Sequence, residues 1–281
     1  MREGTYMSVE KASSVRAKKQ YGQNFLTDTL IPKRIAAESG VNTESGVLEI
    51  GPGLGILTEQ LAMIARKVVA VEIDSDLIPK LEERFRERSN VTIIKQDILK
   101  TDIPDLLKSY FSGMDVYVVA NLPYYITTPI LWKLLEGKYG FKSVTVMVQK
   151  EVADRLIAKA GSPAYGAMTA TLSFYASVRK LFPVPAGHFT PRPKVDSAVV
   201  SIVPYETPPV SVRDENVLLE VIRAAFGMRR KTLVNCLSSH FGWNKERVRG
   251  IVLQCGFSET VRGEELSLSD YARLSEALYG V

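Results

Sequence analysis

The sequence predicts an α/β fold, in which a Rossmann-like, mostly parallel sheet is followed by a small C-terminal all-helical domain. Short apolar runs rich in β-branched residues alternate with amphipathic helical patterns, as expected for buried parallel strands joined by helices. The predicted strands of this part are residues 47–50, 67–74, 91–94, 115–120 and 143–148. After residue 204 only helical patterns follow, at residues 216–226, 231–240, 245–255 and 269–278.

Residues 1–20 predict a flexible basic N-terminal arm, because they are polar and carry five basic and two acidic side chains. Lys18 and Lys19 lie at its end, and Tyr21 and Phe25 follow closely. Basic and aromatic side chains together could grip RNA or close over a small ligand. Composition alone favours a simple tail.

A glycine turn directly after the first strand predicts a nucleotide-binding unit. Gly51, Gly53 and Gly55 separate that strand from a helical pattern, as in the first unit of a doubly wound sheet. The spacing is G-x-G-x-G, which argues against a nicotinamide oxidoreductase with its G-x-G-x-x-G. Glu49 stands just before the glycines, where a carboxylate suits a cationic ligand such as S-adenosylmethionine better than a pyrophosphate.

The second and third strands each lead to a carboxylate. Glu72 lies 21 residues after Gly51, a spacing at which an acid accepts hydrogen bonds from both ribose hydroxyls. Asp97 follows the third strand and can accept from an adenine amino group, or simply cap a turn. Because parallel strands end at one edge of a sheet, these residues together predict an adenosyl-type cofactor pocket.

The fourth strand ends in the stretch Asn121-Leu122-Pro123-Tyr124-Tyr125. The amide and a backbone carbonyl can accept from the amino group of a planar base, while an aromatic ring stacks on its face. Pro123 cannot continue the strand and fixes the turn. The stretch fits a target-base site, with a tight turn and core aromatics as the alternative.

A proline-rich loop at residues 183–193 lies between two further predicted strands, residues 170–178 and 195–203, which we expect to pair at the sheet edge. Its four prolines stiffen the loop and can hold the Phe189 ring in position to stack on a flipped base opposite Tyr124. The predicted domains are therefore residues 1–20, 21–204 and 205–281.

The helical domain carries a basic cluster, in which no acidic residue interrupts the sequence from Arg223 to Lys231. The basic residues of this cluster are Arg223, Arg229, Arg230 and Lys231. With Lys18 and Lys19 in the arm they suit a polyanion such as RNA, although any single patch can equally be a solvated helix face.

The amino-acid composition argues against several classes of protein. Of 281 residues, 46% are hydrophobic and 24% are charged, as in an ordinary globular protein. No apolar run approaches the ~20 residues of a membrane helix, so we expect neither a membrane span nor a secretory signal. Two cysteines and two histidines without a C-x-x-C motif argue against a metal site or a disulfide framework, and fit a reducing cytoplasm.

The motifs together resemble those of the ribosomal RNA adenine N6-dimethyltransferases, specifically the small-subunit type, over residues 20–279. The motifs that carry the resemblance are Gln23-Asn24-Phe25-Leu26, Glu49-Ile50-Gly51-Pro52-Gly53, Glu72-Ile73-Asp74, Asn121-Leu122-Pro123-Tyr124-Tyr125, Phe189-Thr190-Pro191-Arg192-Pro193-Lys194-Val195-Asp196-Ser197 and Ala225-Phe226-Gly227-Met228-Arg229-Arg230-Lys231. The resemblance implies a class I S-adenosylmethionine-dependent methyltransferase sheet. It also implies dimethylation of two adjacent adenines near the 3′ end of 16S rRNA, with a role in small-subunit biogenesis.

The resemblance also implies roles for single residues. Asn121 through Tyr124 would hold the target adenine, with Phe189 as the second stacking ring. The arm would be a pocket lid, and an enzyme of this layout would act as a monomer. The residues expected to line the S-adenosylmethionine site are Asn24, Leu26, Gly51, Gly53, Glu72, Asp97 and Asn121.

Two other functions remain open on the sequence. The related methyltransferases that modify one adenine of 23S rRNA and confer macrolide resistance usually read Asn-Ile-Pro-Tyr in the adenine motif, so Leu122 and Tyr125 favour the small-subunit type. A ribosome assembly checkpoint, whose binding matters more than its chemistry, would use the same basic patches.

Overall fold

The computed structural model describes residue 18 and residues 23–27, 29–228 and 230–279. The predicted RNA-binding residues Lys19 and Arg229 lie outside this part, as does most of the predicted arm. The strands are β1 (Phe25–Leu26), β2 (Gly46–Ile50), β3 (Lys67–Glu72), β4 (Val91–Lys95), β5 (Val116–Asn121), β6 (Ser143–Gln149), β7 (Ala176–Val184), β8 (Phe189–Thr190) and β9 (Ser197–Pro204). The α-helices are α1 (Leu30–Glu38), α2 (Ile56–Ala62), α3 (Ile78–Phe85), α4 (Ile103–Tyr110), α5 (Thr127–Glu136), α6 (Lys150–Leu156), α7 (Ala167–Tyr175), α8 (Glu215–Ala225), α9 (Leu233–Phe241), α10 (Lys245–Gln254) and α11 (Leu268–Leu278).

Seven strands form one sheet in the order β4-β3-β2-β5-β6-β9-β7. The first five are parallel neighbours, and β9 pairs antiparallel with β6. From β2 the chain proceeds to β3 and β4 on one side and returns to β5 and β6 on the other. The order of strands therefore reverses between β2 and β5, and such a point opens a crevice at the carboxyl ends of the strands.

The central strands β2, β3, β5 and β6 are buried on both faces of the sheet, which explains their near-continuous apolar sequences. Val47 and Leu48 of β2 and Val118 and Val119 of β5 are fully buried. Helices α1 and α2 cover one face through Ile35, Leu57 and Leu61, and α3 packs Leu81 and Phe85 into a second small cluster. The central strands are thereby fixed in place, and with them the residues at their ends.

By its contacts the chain divides into two compact units. The sheet unit comprises Met1–Ala153 and Arg179–Pro204, and the helical unit comprises Asp154–Val178 and Tyr205–Val281. The helical unit has its own core, centred on the fully buried Leu218, Leu237 and Tyr271. Side chains cap its helices, as when Asn244 accepts hydrogen bonds from the backbone N–H groups of two residues in the first turn of α10.

The structure differs from the sequence prediction in one region. Residues 170–175, predicted as a strand, belong to α7, and the strand begins only at Ala176. The apolar pattern of these residues is compatible with either a strand or a helix. Ala170 and Phe174 lie one helical turn apart and both pack into the core of the helical unit, and this packing favours the helix. Residues 154–178 consequently join the helical unit, and β9 lies inside the sheet with β7 at its edge.

None of the helices in the described part of the chain is both long and apolar enough to cross a membrane.

Candidate cofactor and adenine site

A cleft of about 1030 Å³, open mouth included, lies within the sheet unit at the carboxyl ends of the parallel strands. It is the place where the strand order predicts a ligand. The predicted site residues that line it are Asn24, Leu26, Gly51, Gly53, Glu72, Asp97, Asn121, Leu122, Pro123 and Tyr124.

The glycine turn after β2 forms the floor of the cleft and needs its glycines. Gly51, Gly53 and Gly55 have φ angles of 68°, 59° and 78°, in the left-handed region that side chains disfavour. The N–H of Gly51 donates to the carbonyl of Val71 at 2.9 Å, which ties the turn to β3. A Cβ on Gly53 would also lie 3.3 Å from the ring of Phe25.

Glu72 is held rigidly at the end of β3. Its two carboxylate oxygens accept hydrogen bonds from the backbone N–H groups of Gly53, at 3.2 Å, and Asp74, at 2.9 Å. The side chain is only 5% exposed, and burial raises its pKa while these backbone donors oppose the shift. Each oxygen has a second lone pair, so the fixed carboxylate can still accept from the two hydroxyls of a ribose.

Glu49 is the most unusual group in the cleft. It is 1% exposed, and neither of its oxygens has a hydrogen-bond partner among the residues that the structure describes. Burial raises its pKa from 4.5 to about 8, the nearby Thr58 hydroxyl partly opposes the shift, and the charge of Glu72 adds to it. A buried carboxylate without donors is unfavourable unless a cation completes it, and the ammonium group of S-adenosylmethionine supplies such a cation.

Asp97 caps a turn in the way that the sequence allowed. Its side chain accepts from the N–H of Leu99 at 2.9 Å, and its carbonyl accepts from the N–H of Lys100 and the hydroxyl of Thr101. The cap holds the side chain at the cleft without using all of its acceptor sites. It is therefore compatible with a hydrogen bond to an adenine amino group.

The stretch after β5 forms the opposite wall. Its turn is held by the carbonyl of Pro123, which accepts from the N–H of Ile126 at 3.2 Å and from the hydroxyl of Thr127 at 3.1 Å. The hydroxyls of Tyr124 and Ser197 are hydrogen-bonded at 2.7 Å, which connects the wall to β9. Burial raises the pKa of Tyr124, so this phenol is neutral and serves as a ring and a hydrogen-bonding group.

The residues before α1 form a further wall of the cleft. Strand β1 pairs antiparallel with β8, so that Leu26 lies opposite Phe189. The ammonium of Lys18 contacts Asp74 at 2.6 Å and Asp76 at 2.7 Å, and the amide of Gln23 donates to Asp74 at 2.9 Å. Burial alone would raise the pKa of Asp74, but the hydrogen bonds from Lys18 and Gln23 hold it below its usual value. We call Lys18, Gln23 and Asp74 the arm clamp.

Two sequence predictions fit the structure less well. Phe189 is 3% exposed, packs among buried residues of α1 and α2, and is not among the residues that line the cleft. Its stacking role stays a prediction. Lys18, predicted to bind RNA, is instead engaged by two carboxylates, which favours an anchoring role.

The arm clamp was missed by sequence reasoning. Lys18 and Asp74 are 56 residues apart, and no local pattern connects them. In the helical unit Arg223, counted as part of an uninterrupted basic cluster, pairs with Glu220 one turn earlier on α8. Arg230 and Lys231 are exposed.

No group of three or more histidine, cysteine, aspartate or glutamate side chains in the described ranges could hold a metal ion.

Residues 14–276 match the sequence model of the ribosomal RNA adenine dimethylase family. The chain belongs to this family. It is 48% identical over 265 residues to ribosomal RNA small subunit methyltransferase A of Bacillus mycoides, covering 93% of this chain and 91% of the relative. The protein of the same name from Bacillus anthracis strain A0248 is also 48% identical, with the same coverage.

Two solved structures share the fold. A dimethyladenosine transferase from Plasmodium falciparum superposes with a TM-score of 0.75 at 26% identity, over 89% of this chain and 95% of that chain. The 23S rRNA methyltransferase ErmE superposes with a TM-score of 0.71 at 24% identity, over 91% of this chain and 99% of that chain.

The family defines the chemistry of the cleft. The chain is an S-adenosylmethionine-dependent ribosomal RNA adenine dimethyltransferase built on a class I sheet. The residues present fit the cofactor, because the glycine turn leaves open space at Gly51, Glu72 presents two fixed acceptors, and Glu49 has no cationic partner within the described part of the chain.

Glu49→Gln is expected to reduce the pH dependence of stability in the cofactor-free enzyme. Folded, Glu49 keeps its proton up to about pH 8, whereas the unfolded chain releases it near 4.5. Between these values the unfolded state binds fewer protons, so the free energy of unfolding falls as the pH rises. Calorimetry between about pH 5 and about pH 8 should show a steeper fall of Tm for the wild type.

Glu82→Gln, an equal charge change at an exposed position of α3, is the control and should keep the wild-type slope. Equal slopes for the wild type and Glu49→Gln would show that Glu49 is ionised in the folded enzyme.

Lys18→Met is expected to weaken cofactor binding several-fold and to speed cofactor release. The substitution removes the cation of the arm clamp, which holds the wall formed by Gln23 to Leu26 against the cleft. Calorimetry and stopped-flow fluorescence with S-adenosylhomocysteine measure the two effects. The control is Lys33→Met, on the exposed face of α1, which should bind S-adenosylhomocysteine as the wild type does. If Lys18→Met also has the affinity and release rate of the wild type, the arm clamp plays no part in cofactor binding.

Proposed function

We propose that this enzyme transfers two methyl groups to N6 of each of two adjacent adenines near the 3′ end of 16S rRNA, in the small ribosomal subunit or its precursor. The observation that carries the proposal is the shared cleft, in which the stretch Asn121 to Tyr125 faces the glycine turn, Glu49 and Glu72. The Bacillus relatives named for the small subunit support this choice of RNA. We further propose a cytoplasmic monomer with a role in subunit biogenesis.

The sheet unit would bind the cofactor by its two ends. Glu72 would accept from the ribose hydroxyls, Asp97 from the adenine amino group, and Glu49 would face the ammonium group. S-adenosylmethionine supplies the methyl group as an electrophilic sulfonium. Asn24 and Leu26 would complete the pocket from the arm side.

The target adenine would be oriented by the wall after β5. The N6 lone pair of adenine is delocalised into the ring and is a poor nucleophile. If the Asn121 side chain and the Leu122 carbonyl accept hydrogen bonds from the two N–H groups, the nitrogen becomes more pyramidal. Its lone pair can then point at the methyl group of the sulfonium. Positioning of this kind supplies much of the rate in such transfers.

No general base is needed before the attack, since the methylated nitrogen loses its proton readily. Residues 121–125 accordingly include neither a histidine nor a carboxylate. In the second transfer only one N–H remains, and the base must accommodate a methyl group. Stacking on the Tyr124 ring tolerates this change because stacking lacks the directionality of a hydrogen bond.

The helical unit would contribute RNA affinity through its basic cluster. Arg230 and Lys231 are exposed and follow the last turn of α8, whereas Glu220 offsets part of the charge of Arg223. Lysine and arginine contacts with phosphates position an RNA without reading its sequence.

Asn121→Ala is expected to lower the rate of methyl transfer by at least about a hundredfold, since positioning dominates the mechanism. Cofactor affinity should change far less, because Glu49 and Glu72 remain. Single-turnover transfer and calorimetry with S-adenosylhomocysteine separate the two quantities. Asn216→Ala, at an exposed position in the first turn of α8, serves as the control. Equal loss of transfer and cofactor binding would show that Asn121 is chiefly structural.

Tritiated S-adenosylmethionine tests the function itself, using small and large subunits from cells that lack both dimethylation activities. Label in an adjacent pair of dimethyladenosines of 16S rRNA is the expected result. Label in 23S rRNA would assign the chain to the large subunit and would show that the Leu122 argument is wrong. Tight subunit binding without label would instead favour an assembly factor.

A further inference from the structure

One surface loop beside the cleft carries two cations that neither the cofactor site nor the adenine site uses. Residues 191–196 connect β8 to β9, and we call them the Arg192 loop. The side chains of Arg192 and Lys194 are exposed, and neither forms an ion pair with any other residue that the structure describes. Both cations are therefore available to a ligand.

Both ends of this loop are fixed to walls of the cleft. At its beginning β8 pairs with β1, whose Leu26 lines the cofactor pocket, and the carbonyl of His188 accepts from the N–H and the hydroxyl of Thr27. At its end the hydroxyl of Ser197 bonds that of Tyr124 at 2.7 Å. The loop thus runs from the arm side of the cleft to the adenine side.

The loop is also held in shape, and its one acidic residue is already engaged. Asp196 accepts from the N–H of Ala186 at 2.9 Å, and its carbonyl accepts from the N–H of Lys150 at 2.9 Å. Pro191 and Pro193 fix the backbone on either side of Arg192. Two cations are thereby presented from a loop whose only carboxylate is hydrogen-bonded to the backbone of Ala186 and pairs with neither of them.

We propose that Arg192 and Lys194 bind the phosphodiester groups that flank the target adenine, so that the sheet unit holds the RNA backbone at the mouth of its own cleft. The proposal rests on the proposed function, because it requires an RNA base to enter beside Tyr124. A nucleotide whose base is turned into a pocket leaves its phosphates at the rim, and arginine and lysine are the usual partners of such groups.

The structure gives this loop a role different from that of the basic cluster on the helical unit. Phosphate contacts next to the reacting base fix the register of the strand over the cleft, whereas contacts elsewhere raise affinity for the RNA as a whole. Loss of the two cations should therefore weaken productive binding of the substrate and leave the chemical step intact once it is bound.

The first test is the double variant Arg192→Gln with Lys194→Gln, assayed on small ribosomal subunits. The slope of log binding constant against log salt concentration should become shallower by about 1.5, as expected for two lost phosphate contacts. KM for subunits should rise at least about tenfold, kcat should stay within about twofold, and S-adenosylhomocysteine should bind as before. Lys80→Gln with Lys108→Gln, exposed on α3 and α4, is the charge-matched control.

A salt slope and a KM equal to those of the control would overturn the proposal, as would a fall in kcat at unchanged KM. The wild type in the same assay tests the proposed function separately. If the wild type fails to methylate the small subunit, the proposed function is wrong. If the wild type methylates and the double variant behaves as the control does, only the phosphate contacts are wrong.

The second test neutralises the RNA instead of the protein. In a short RNA that contains the adenine pair, methylphosphonates replace the two phosphates that flank the target adenine. This RNA should bind the wild type as weakly as the unmodified RNA binds the double variant. The double variant should bind the modified and the unmodified RNA with equal affinity. Independent, additive losses would show that Arg192 and Lys194 contact other groups.

Discussion

The parallel pairing of β2 with β3 is the constraint on which the cleft depends. It brings Glu49, the glycine turn and Glu72 to one edge of the sheet, and the Gly51 N–H to Val71 carbonyl bond continues the pairing into the turn. The Gly53 N–H then reaches the carboxylate of Glu72, so the turn and the acid hold each other in place. Two buried acidic side chains result, one with backbone donors and the other with none among the described residues, so the two groups offer a ligand different chemistry.

Much of this arrangement could be predicted from the sequence because the information is local. Each parallel strand is a short β-branched run, and each site residue immediately follows such a run, so the strand order alone brings Glu72, Asp97 and Asn121 to one edge. Asp97 caps a turn, which is one of the two roles that the sequence allowed, and its role toward an adenine amino group stays a prediction.

The features that the sequence did not predict depend on contacts between residues that lie far apart in the chain. The apolar segment 170–175 suits a strand or a helix, and only its packing in the helical unit decided for α7. A stiff loop suggested that Phe189 faces the pocket, but its ring packs instead with core residues that lie far from it in the sequence. Lys18 was counted with the RNA-binding cations because nothing near it in sequence reveals Asp74 and Asp76.

The pairing of β1 with β8 joins two binding surfaces in one hydrogen-bonded ribbon. One strand carries Leu26 of the cofactor pocket, and the other leads directly into the loop of Arg192. A displacement of either strand would carry the other with it, so a movement at the cofactor pocket would reach the loop of Arg192 through paired backbone. By thermodynamic linkage, an effect of one ligand on the other's affinity through this ribbon would be matched by an equal effect in the opposite direction.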